Sequence, residues 1–109
     1  MINLFVYGTL KDKSVRNNIL GRNVESKPDV LYGYSLGIHP VLTSYPVVFK
    51  SDDGVVYGEV FKVSEQEFEL LDRYESQYYV KEDIILESDN KAKVYVVNNQ
   101  MIENSDQAI

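Results

Sequence analysis

Cysteine is absent from this chain of 109 residues. Its absence excludes disulfides, thiol nucleophiles and cysteine-based metal sites, and it fits a reducing compartment. The sequence does not show the pattern of a signal peptide, which is a basic start followed by an apolar segment. No apolar run approaches the length that spans a bilayer. We therefore predict a soluble, cytoplasmic protein.

Positive charge is scarce as well. Eleven lysines and arginines against 17 aspartates and glutamates give a formal charge of −6. Nucleic-acid binding requires a basic patch, and the basic residues here are scattered singly, so we predict neither a nucleic-acid nor a membrane partner. His39 is the single histidine, and no Ser/His/Asp triad or metal cluster can be assembled around it. The sequence predicts no metal site.

The remaining composition is that of an ordinary globular protein. Apolar residues make up 44 % of it, which is enough for one domain over residues 1–109 with a buried core. The segment from about residue 98 onward is polar, and we predict that it is a loosely ordered tail. Nine tyrosines stand against no tryptophan. Tyrosine suits strands, and it also lines pockets that combine an apolar wall with a hydroxyl.

Strand and helix patterns alternate along the chain. Residues 2–7 predict a buried strand, and residues 14–20 predict a short helix with Ser14 as N-cap and Gly21 as terminator. Its predicted buried face is Val15, Ile19 and Leu20.

The middle of the chain reads as a small β-sheet. Ser51–Gly54 carries an Asp-Gly pair between two β-rich runs, which predicts a hairpin turn. Gly33 and Gly58 lie inside strand patterns and indicate bulges or bends, as expected where a sheet curls into a barrel. The predicted strands cover residues 30–36, 45–50, 55–63, 78–86 and 92–97.

A second helix is predicted from Ser64 to near Glu75. Ser64 and Glu67 have the spacing of a capping box. The predicted apolar face is Phe68, Leu70, Leu71 and Tyr74. Asp72 is expected on the helix surface, paired with a nearby cation.

Two features could form a site. The first is the strand Leu4–Leu10, which breaks at Gly8 and Thr9. Because glycine has no Cβ, a ligand can approach the backbone there, and successive amides can form a concavity for an anion. An ordinary turn after an ordinary strand is the alternative. The stretch is not a P-loop, because it lacks the Gly-Lys-Ser/Thr ending.

The second feature is Glu75. In a helix it shares one face with Leu71 and Phe68. A carboxylate on a buried face must be neutralised, hydrogen-bonded or exposed at a cavity, and burial raises its pKa toward the range useful for proton transfer. The alternative is that Glu75 lies in a fraying last turn and bends away to solvent.

Three motifs together resemble the gamma-glutamylcyclotransferase-like superfamily, and within it most resemble the gamma-glutamylamine cyclotransferase branch of short single-domain proteins. Leu4–Leu10 is similar to the opening strand and substrate loop of that family. Val56–Phe61 is similar to its central glycine-bearing strand, and Leu71–Ser76 followed by Tyr79 is similar to the end of its catalytic helix. The resemblance implies an α+β fold, a small curled mixed β-sheet, barrel-like, with about two packed helices and a pocket at one end.

The resemblance also implies roles for residues. Glu75 matches the general acid/base, the backbone of Tyr7, Gly8, Thr9 and Leu10 matches the substrate loop, and Tyr79 matches a pocket tyrosine. The implied reaction is an intramolecular acyl transfer that releases 5-oxoproline and a free amine from a small gamma-glutamyl amine. It requires neither metal nor cofactor, and the protein is expected as a monomer or homodimer.

Two positions depart from the family pattern. The segment between Glu75 and Tyr79 is short, and Lys81 stands where an arginine is common. A non-catalytic small-molecule or protein-binding module on the same fold is therefore the alternative function, and a purely structural barrel is a third. An active site requires Glu75 and the amides of Gly8–Leu10 to converge on one cavity.

Overall fold

The computed structural model describes residues 1–40 and 45–99. In these ranges a five-stranded sheet has the order β2-β3-β1-β5-β4. The β1–β5 pair is parallel, and the other pairs are antiparallel. The α+β class with a mixed sheet and two helices is therefore confirmed. The elements are β1 (Ile2–Val6), a 3-10 turn (Thr9–Lys11), α1 (Lys13–Leu20), β2 (Lys27–Ile38), β3 (Pro46–Val63), α2 (Glu67–Glu75), β4 (Tyr79–Ile85) and β5 (Lys91–Val97).

Hydrogen bonds between the two edges of the sheet curl it into a half-barrel. The Glu87 amide, in the turn between β4 and β5, donates to the Val30 carbonyl of β2 at 2.9 Å. The Tyr32 hydroxyl donates to the Glu87 carboxylate at 2.6 Å. These contacts use polar groups of the β2 edge that would otherwise face solvent.

The core lies on both faces of the sheet. Leu4 and Val6 of β1 face the helices together with Leu20 and Leu71, whereas Phe5 faces the opposite side. Alternate residues of a strand point to opposite faces, so a strand covered on both sides reads as a continuous apolar run. This packing explains why Leu4–Val6 shows no polar alternation.

The N-cap of helix α1 lies two residues earlier than the sequence predicted. Asp12, not Ser14, is the N-cap, because its carboxylate accepts the Ser14 amide at 2.8 Å and the Ser14 hydroxyl at 2.7 Å. Gly21 ends the helix in the left-handed conformation, φ 67°, as predicted. The most deeply buried polar residue of α1 is Arg16, which the predicted buried face did not include.

The hairpin turn predicted at Ser51–Gly54 is wrong. Strand β3 runs unbroken through these residues, which form a bulge opposite Gly33 of β2 between the pairs Tyr32–Val55 and Tyr34–Lys50. The connection between β2 and β3 falls at residues 39–45 instead, of which 41–44 lie outside the described residues. The bulge predicted at Gly33 is thereby confirmed.

Gly58 has a different reason to be glycine. The β2–β3 register is continuous there. A Cβ on Gly58 would lie 2.4 Å from the Val6 carbonyl oxygen and 2.6 Å from Cζ of Phe5, so the position serves close packing of β1 on β3.

Helix α2 opens with the predicted capping box. The Ser64 amide donates to the Glu67 carboxylate at 2.9 Å, and the Glu67 amide donates to the Ser64 hydroxyl at 3.2 Å. Its buried stripe is narrower than predicted, because Phe68 and Leu71 are buried whereas Leu70 and Tyr74 are 40 % and 43 % exposed. Only residues that face the sheet at helical spacing can be covered by it.

Within the described ranges, neither helix has the length and apolar character needed to cross a bilayer. The predicted polar tail lies outside the described residues beyond Asn99. The assignment of residues 1–109 to one domain stays a prediction.

Candidate active site

A cavity of about 400 Å³ lies between the loop that follows β1 and the C-terminal end of α2. All six residues that the sequence singled out line it, so Glu75 and the backbone of Gly8–Leu10 do converge on one space. The lining residues are Phe5, Val6, Tyr7, Gly8, Thr9, Leu10, Tyr45, Pro46, Tyr74, Glu75, Ser76, Tyr78, Tyr79 and Tyr95.

Glu75 is the charged member of this lining. It is the last residue of α2, and burial raises its pKa from the ordinary 4.5 to about 7. The alternative that Glu75 bends away to solvent is wrong. A carboxyl group with this pKa is present in both protonation states near neutral pH, so it can accept a proton and return one.

The backbone after Glu75 turns abruptly. Ser76 has φ 76° and ψ 178°, a region that glycine adopts readily and other residues rarely do. The Ser76 amide donates to the Asp72 carbonyl at 2.9 Å, and the Tyr78 amide donates to the Ser76 hydroxyl at 3.3 Å. This turn ends α2 at Glu75 and leads directly into β4, so both Tyr78 and Tyr79 reach the cavity.

The loop after β1 forms a tight 3-10 turn. Its Gly8 and Thr9 carbonyls accept the amides of Lys11 and Asp12 at 3.0 and 3.1 Å. The first amides of a helical turn have no partner within the turn, and here they belong to residues that line the cavity. A Cβ on Gly8 would meet no atom within 4 Å. The absent side chain thus leaves open space at the cavity wall.

A hydroxyl contact joins the loop to the helix across the cavity. Thr9 Oγ1 and the Tyr74 hydroxyl are 2.5 Å apart, and either can be the donor. Tyr45 and Tyr74 are the exposed rings of the lining, at 59 % and 43 %. They mark the open side of the cavity.

Tyrosines form the inner wall. The Tyr7 hydroxyl donates to the Tyr95 carbonyl at 2.8 Å. Burial, and to a lesser extent the nearby Glu75 and Tyr79, raises the pKa of Tyr7. Burial and the hydrogen bond to Asp72 raise the pKa of Tyr95. Both phenols therefore stay protonated at neutral pH and act as neutral hydrogen-bonding groups beside Glu75.

Asp72 anchors this wall from outside the cavity. It accepts the Tyr95 hydroxyl at 2.6 Å and the Lys81 ammonium at 2.8 Å, which confirms its predicted pairing with a cation. Burial raises the pKa of Asp72, but the hydrogen bonds from Lys81 and Tyr95 outweigh it and hold that pKa below the ordinary value. Lys81 is thus committed to Asp72 and does not line the cavity.

Sequence reasoning missed most of the tyrosine wall. Tyr45, Tyr74 and Tyr95 line the cavity, and they come from the connection before β3, from α2 and from β5. The excess of tyrosine over tryptophan was the available signal, and it did not say which tyrosines meet. In the described ranges, no group of three or more histidine, aspartate or glutamate side chains is placed to hold a metal ion.

Comparisons with known proteins identify the family of this chain. The family model described as "Gamma-glutamyl cyclotransferase, AIG2-like" matches residues 4–109. Protein AIG2 C from Arabidopsis thaliana is 35 % identical over 96 residues, which are 86 % of this chain and 58 % of that protein. The chain thus spans less than two thirds of that relative's length.

Solved structures show the same fold. The solution structure of an Arabidopsis thaliana protein matches with a TM-score of 0.78 and 31 % identity, covering 91 % of this chain and 63 % of that one. A structure titled gamma-glutamyl cyclotransferase matches with a TM-score of 0.71 and 15 % identity, covering 89 % of this chain and 66 % of that one. The curled sheet, the two helices and the family match lead to one assignment: this chain belongs to the gamma-glutamyl cyclotransferase, AIG2-like family.

Proposed function

We propose that this protein is a cofactor-free gamma-glutamylamine cyclotransferase, which converts a gamma-glutamyl amine into 5-oxoproline and a free amine. The observation that carries the proposal is the position of Glu75. Its carboxyl group has a pKa of about 7 and lines the same cavity as the backbone of Gly8–Leu10. The family match supports cyclotransferase chemistry.

In the proposed reaction the substrate attacks itself. Its α-amino nitrogen forms a bond to the γ-carbonyl carbon, and the bond from that carbon to the amide nitrogen breaks. The α-amine is an ammonium at neutral pH, so it must lose a proton before it attacks. Glu75 accepts this proton and then donates it to the departing nitrogen, which leaves as the free amine, while the attacking nitrogen releases its second surplus proton to solvent as the ring closes. Positioned proton transfer of this kind is typically worth about 10²–10⁴-fold in rate.

The loop supplies binding rather than proton transfer. Amides of Gly8, Thr9 and Leu10 would hold the α-carboxylate or stabilise the charge that develops on the γ-carbonyl oxygen. The open space at Gly8 leaves room for this approach. Tyr79 and the other tyrosines of the wall would fix the folded-back conformation that an intramolecular attack requires.

The direct test is turnover. The purified protein is incubated with gamma-glutamyl derivatives of several alkyl amines, and 5-oxoproline is quantified. We expect product with the unmodified protein and a loss of about 10²–10⁴-fold in kcat for Glu75→Gln. Glu69→Gln is the matched control, because Glu69 is an exposed glutamate of the same helix and does not line the cavity. Undiminished product in Glu75→Gln would exclude Glu75 as the acid/base.

The same assay distinguishes the alternative function, a non-catalytic binding module, from the proposed enzyme. A non-catalytic binding module would bind gamma-glutamyl compounds without releasing 5-oxoproline, and Glu75→Gln would leave its affinity nearly unchanged. The cytoplasmic location, the absence of nucleic-acid and membrane partners and the monomeric or homodimeric state stay predictions from the sequence.

A further inference from the structure

Arg16 is the buried charged residue of the described core. Its side chain is 3 % exposed, and the guanidinium carbon lies 5.6 Å from the centre of the Phe61 ring. A buried cation requires strong hydrogen-bond acceptors around it, because the loss of hydration is costly. The acceptors of Arg16 show what it does.

Three of those acceptors are backbone carbonyls. Nη1 donates to the Lys11 carbonyl at 2.8 Å and to the Leu10 carbonyl at 3.4 Å, and Nε donates to the Val24 carbonyl at 2.9 Å. Nη2 donates to the Ser26 hydroxyl at 3.0 Å. The guanidinium therefore connects the loop after β1 to the segment that precedes β2.

The contacts of Arg16 complete the hydrogen bonding of the loop. Gly8 and Thr9 carbonyls are held by the amides of Lys11 and Asp12, and the next two carbonyls in the chain are held by Arg16. A peptide group is planar, so fixing a carbonyl also fixes the amide on the other side of the same bond. Four successive peptide planes of the loop are thereby set.

The network also ties the loop to the sheet. The Ser26 hydroxyl that accepts from Arg16 donates to the Glu59 carboxylate at 2.6 Å. Glu59 lies opposite Val6, the last residue of β1, in the β1–β3 ladder. Arg16 is thus linked through one hydroxyl to the strand pair from which the loop emerges.

We propose that Arg16 is a positioning residue, which holds the backbone of Gly8–Lys11 in the geometry that the cavity uses while it touches no substrate itself. Arg16 is not among the residues that line the cavity. Its hydrogen bonds leave the guanidinium in three directions toward four acceptors, and the compact ammonium of a lysine cannot match that fork. The kinetic part of this proposal rests on the proposed function, whereas its structural part does not.

The test compares Arg16→Lys with Arg22→Lys. Both residues are arginines near α1, and Arg22 also donates to a backbone carbonyl, that of Lys62, but it lies on the surface beside Glu67. Amide hydrogen exchange and amide chemical shifts are recorded by NMR without substrate. In Arg16→Lys we expect shifts and faster exchange for Lys11 and Asp12, whereas the amides of β4 and β5 stay unchanged. Arg22→Lys should leave the loop as it is.

Turnover of a gamma-glutamyl amine supplies the second readout. An α-carboxylate held by the loop amides is bound alike in the substrate and in the transition state. With the loop in that role, Arg16→Lys should raise KM by roughly tenfold or more while kcat falls little and the pH midpoint set by Glu75 stays in place. Ser26→Ala, which keeps the cation and removes one acceptor, should shift KM and the loop amides in the same direction by a smaller amount. Ser26→Ala also tests the proposal if Arg16→Lys does not fold.

Two results would contradict the positioning role of Arg16. Loop amides that are unchanged in Arg16→Lys and Ser26→Ala, or values of kcat and KM that both stay unchanged while the midpoint of urea unfolding falls, would reduce Arg16 to a packing role. If the unmodified protein produces no 5-oxoproline, the proposed function fails, and the NMR comparison still decides whether Arg16 positions the loop.

Discussion

Glu67 and Glu75 are the first and last residues of helix α2, and their environments differ in kind. Glu67 accepts the Ser64 amide at 2.9 Å and forms an ion pair with Arg22 at 2.7 Å. The hydrogen bond from Arg22 outweighs burial and lowers the pKa of Glu67. Glu75 faces a tyrosine-lined cavity, and burial raises its pKa to about 7.

The contrast extends to the backbone. The helix starts with a reciprocal capping box at Ser64, and it ends at Ser76 in a conformation that costs on the order of 1–3 kcal/mol for a residue other than glycine. One end of α2 thus stabilises the fold, and the other end gives up stability at the candidate site. Strain and unfavourable burial of this sort concentrate where function requires a particular geometry.

The largest expected effect concerns pH and turnover. Below pH 7 Glu75 is increasingly protonated and cannot accept a proton, so kcat/KM for a gamma-glutamyl amine should fall about tenfold per pH unit. At pH 5 we expect a value roughly 100-fold below that at pH 8. Steady-state assays between pH 5 and 8 give the midpoint. A midpoint near 4.5, the ordinary glutamate value, would contradict the assigned environment of Glu75.

The next effect concerns stability, and here the two glutamates should respond with opposite signs. The pKa of Glu75 is raised in the folded state, so its protonated form stabilises the fold fully below pH 4.5, and this contribution is lost as the pH rises through about 7. Glu75→Gln removes the buried charge. We expect it to stabilise the protein at pH 8, by an amount on the order of 3 kcal/mol at most, and to have little effect at pH 4.5.

Glu67→Gln is the comparison in the same urea-unfolding experiment. The pKa of Glu67 is lowered, so its contribution is present above pH 4.5 and is lost as the pH falls through its folded value. Arg22 is 37 % exposed in the ion pair, so the expected destabilisation at pH 8 is below about 1 kcal/mol. Equal signs for the two variants at pH 8 would remove the distinction between the two ends of α2.

The smallest expected effect concerns Ser76. Ser76→Gly relieves the backbone strain, but it loses the hydroxyl contact with the Tyr78 amide and raises the entropy of the unfolded chain. We expect a net stabilisation below about 1 kcal/mol in urea unfolding. Ser14→Gly is the control, because it also removes a hydroxyl contact, the one to Asp12 at 2.7 Å, but relieves no backbone strain; it should destabilise by about 1 kcal/mol. Destabilisation by Ser76→Gly would show that the hydroxyl contact outweighs the strain.

Local chemistry predicted much of the fold. The capping box of Ser64 and Glu67 and the left-handed Gly21 depend on residues within one turn of each other, so the sequence was sufficient to identify them. The place of Glu75 on the buried stripe of α2 followed from helical spacing. That Glu75 meets the Gly8 loop came from family resemblance, and spacing alone did not contain it.

Two errors show where local reasoning stops. Ser51–Gly54 carries a strong turn signal. However, β3 pairs with β2 both before and after these residues, so they form a bulge within one long strand. Arg16 shares a helical face with Leu20, and this spacing was a signal that a charge is buried. Its acceptors on the loop and near Val24 could not be read from that spacing, because they come from other segments.

The sequence by itself determined the end of α1 at Gly21, the capping box of Ser64 and Glu67 that precedes α2, the mixed composition of strands and helices, and the presence of a glutamate on a buried face. Only the tertiary structure decided that this glutamate and the loop after β1 share one cavity, because β1 pairs with β3 and β5 and α2 packs back over the sheet. The pKa of about 7 at Glu75 also depends on the tertiary structure, because burial raises it. Burial is a property of the surroundings, and those are assembled from segments that lie far apart in the chain.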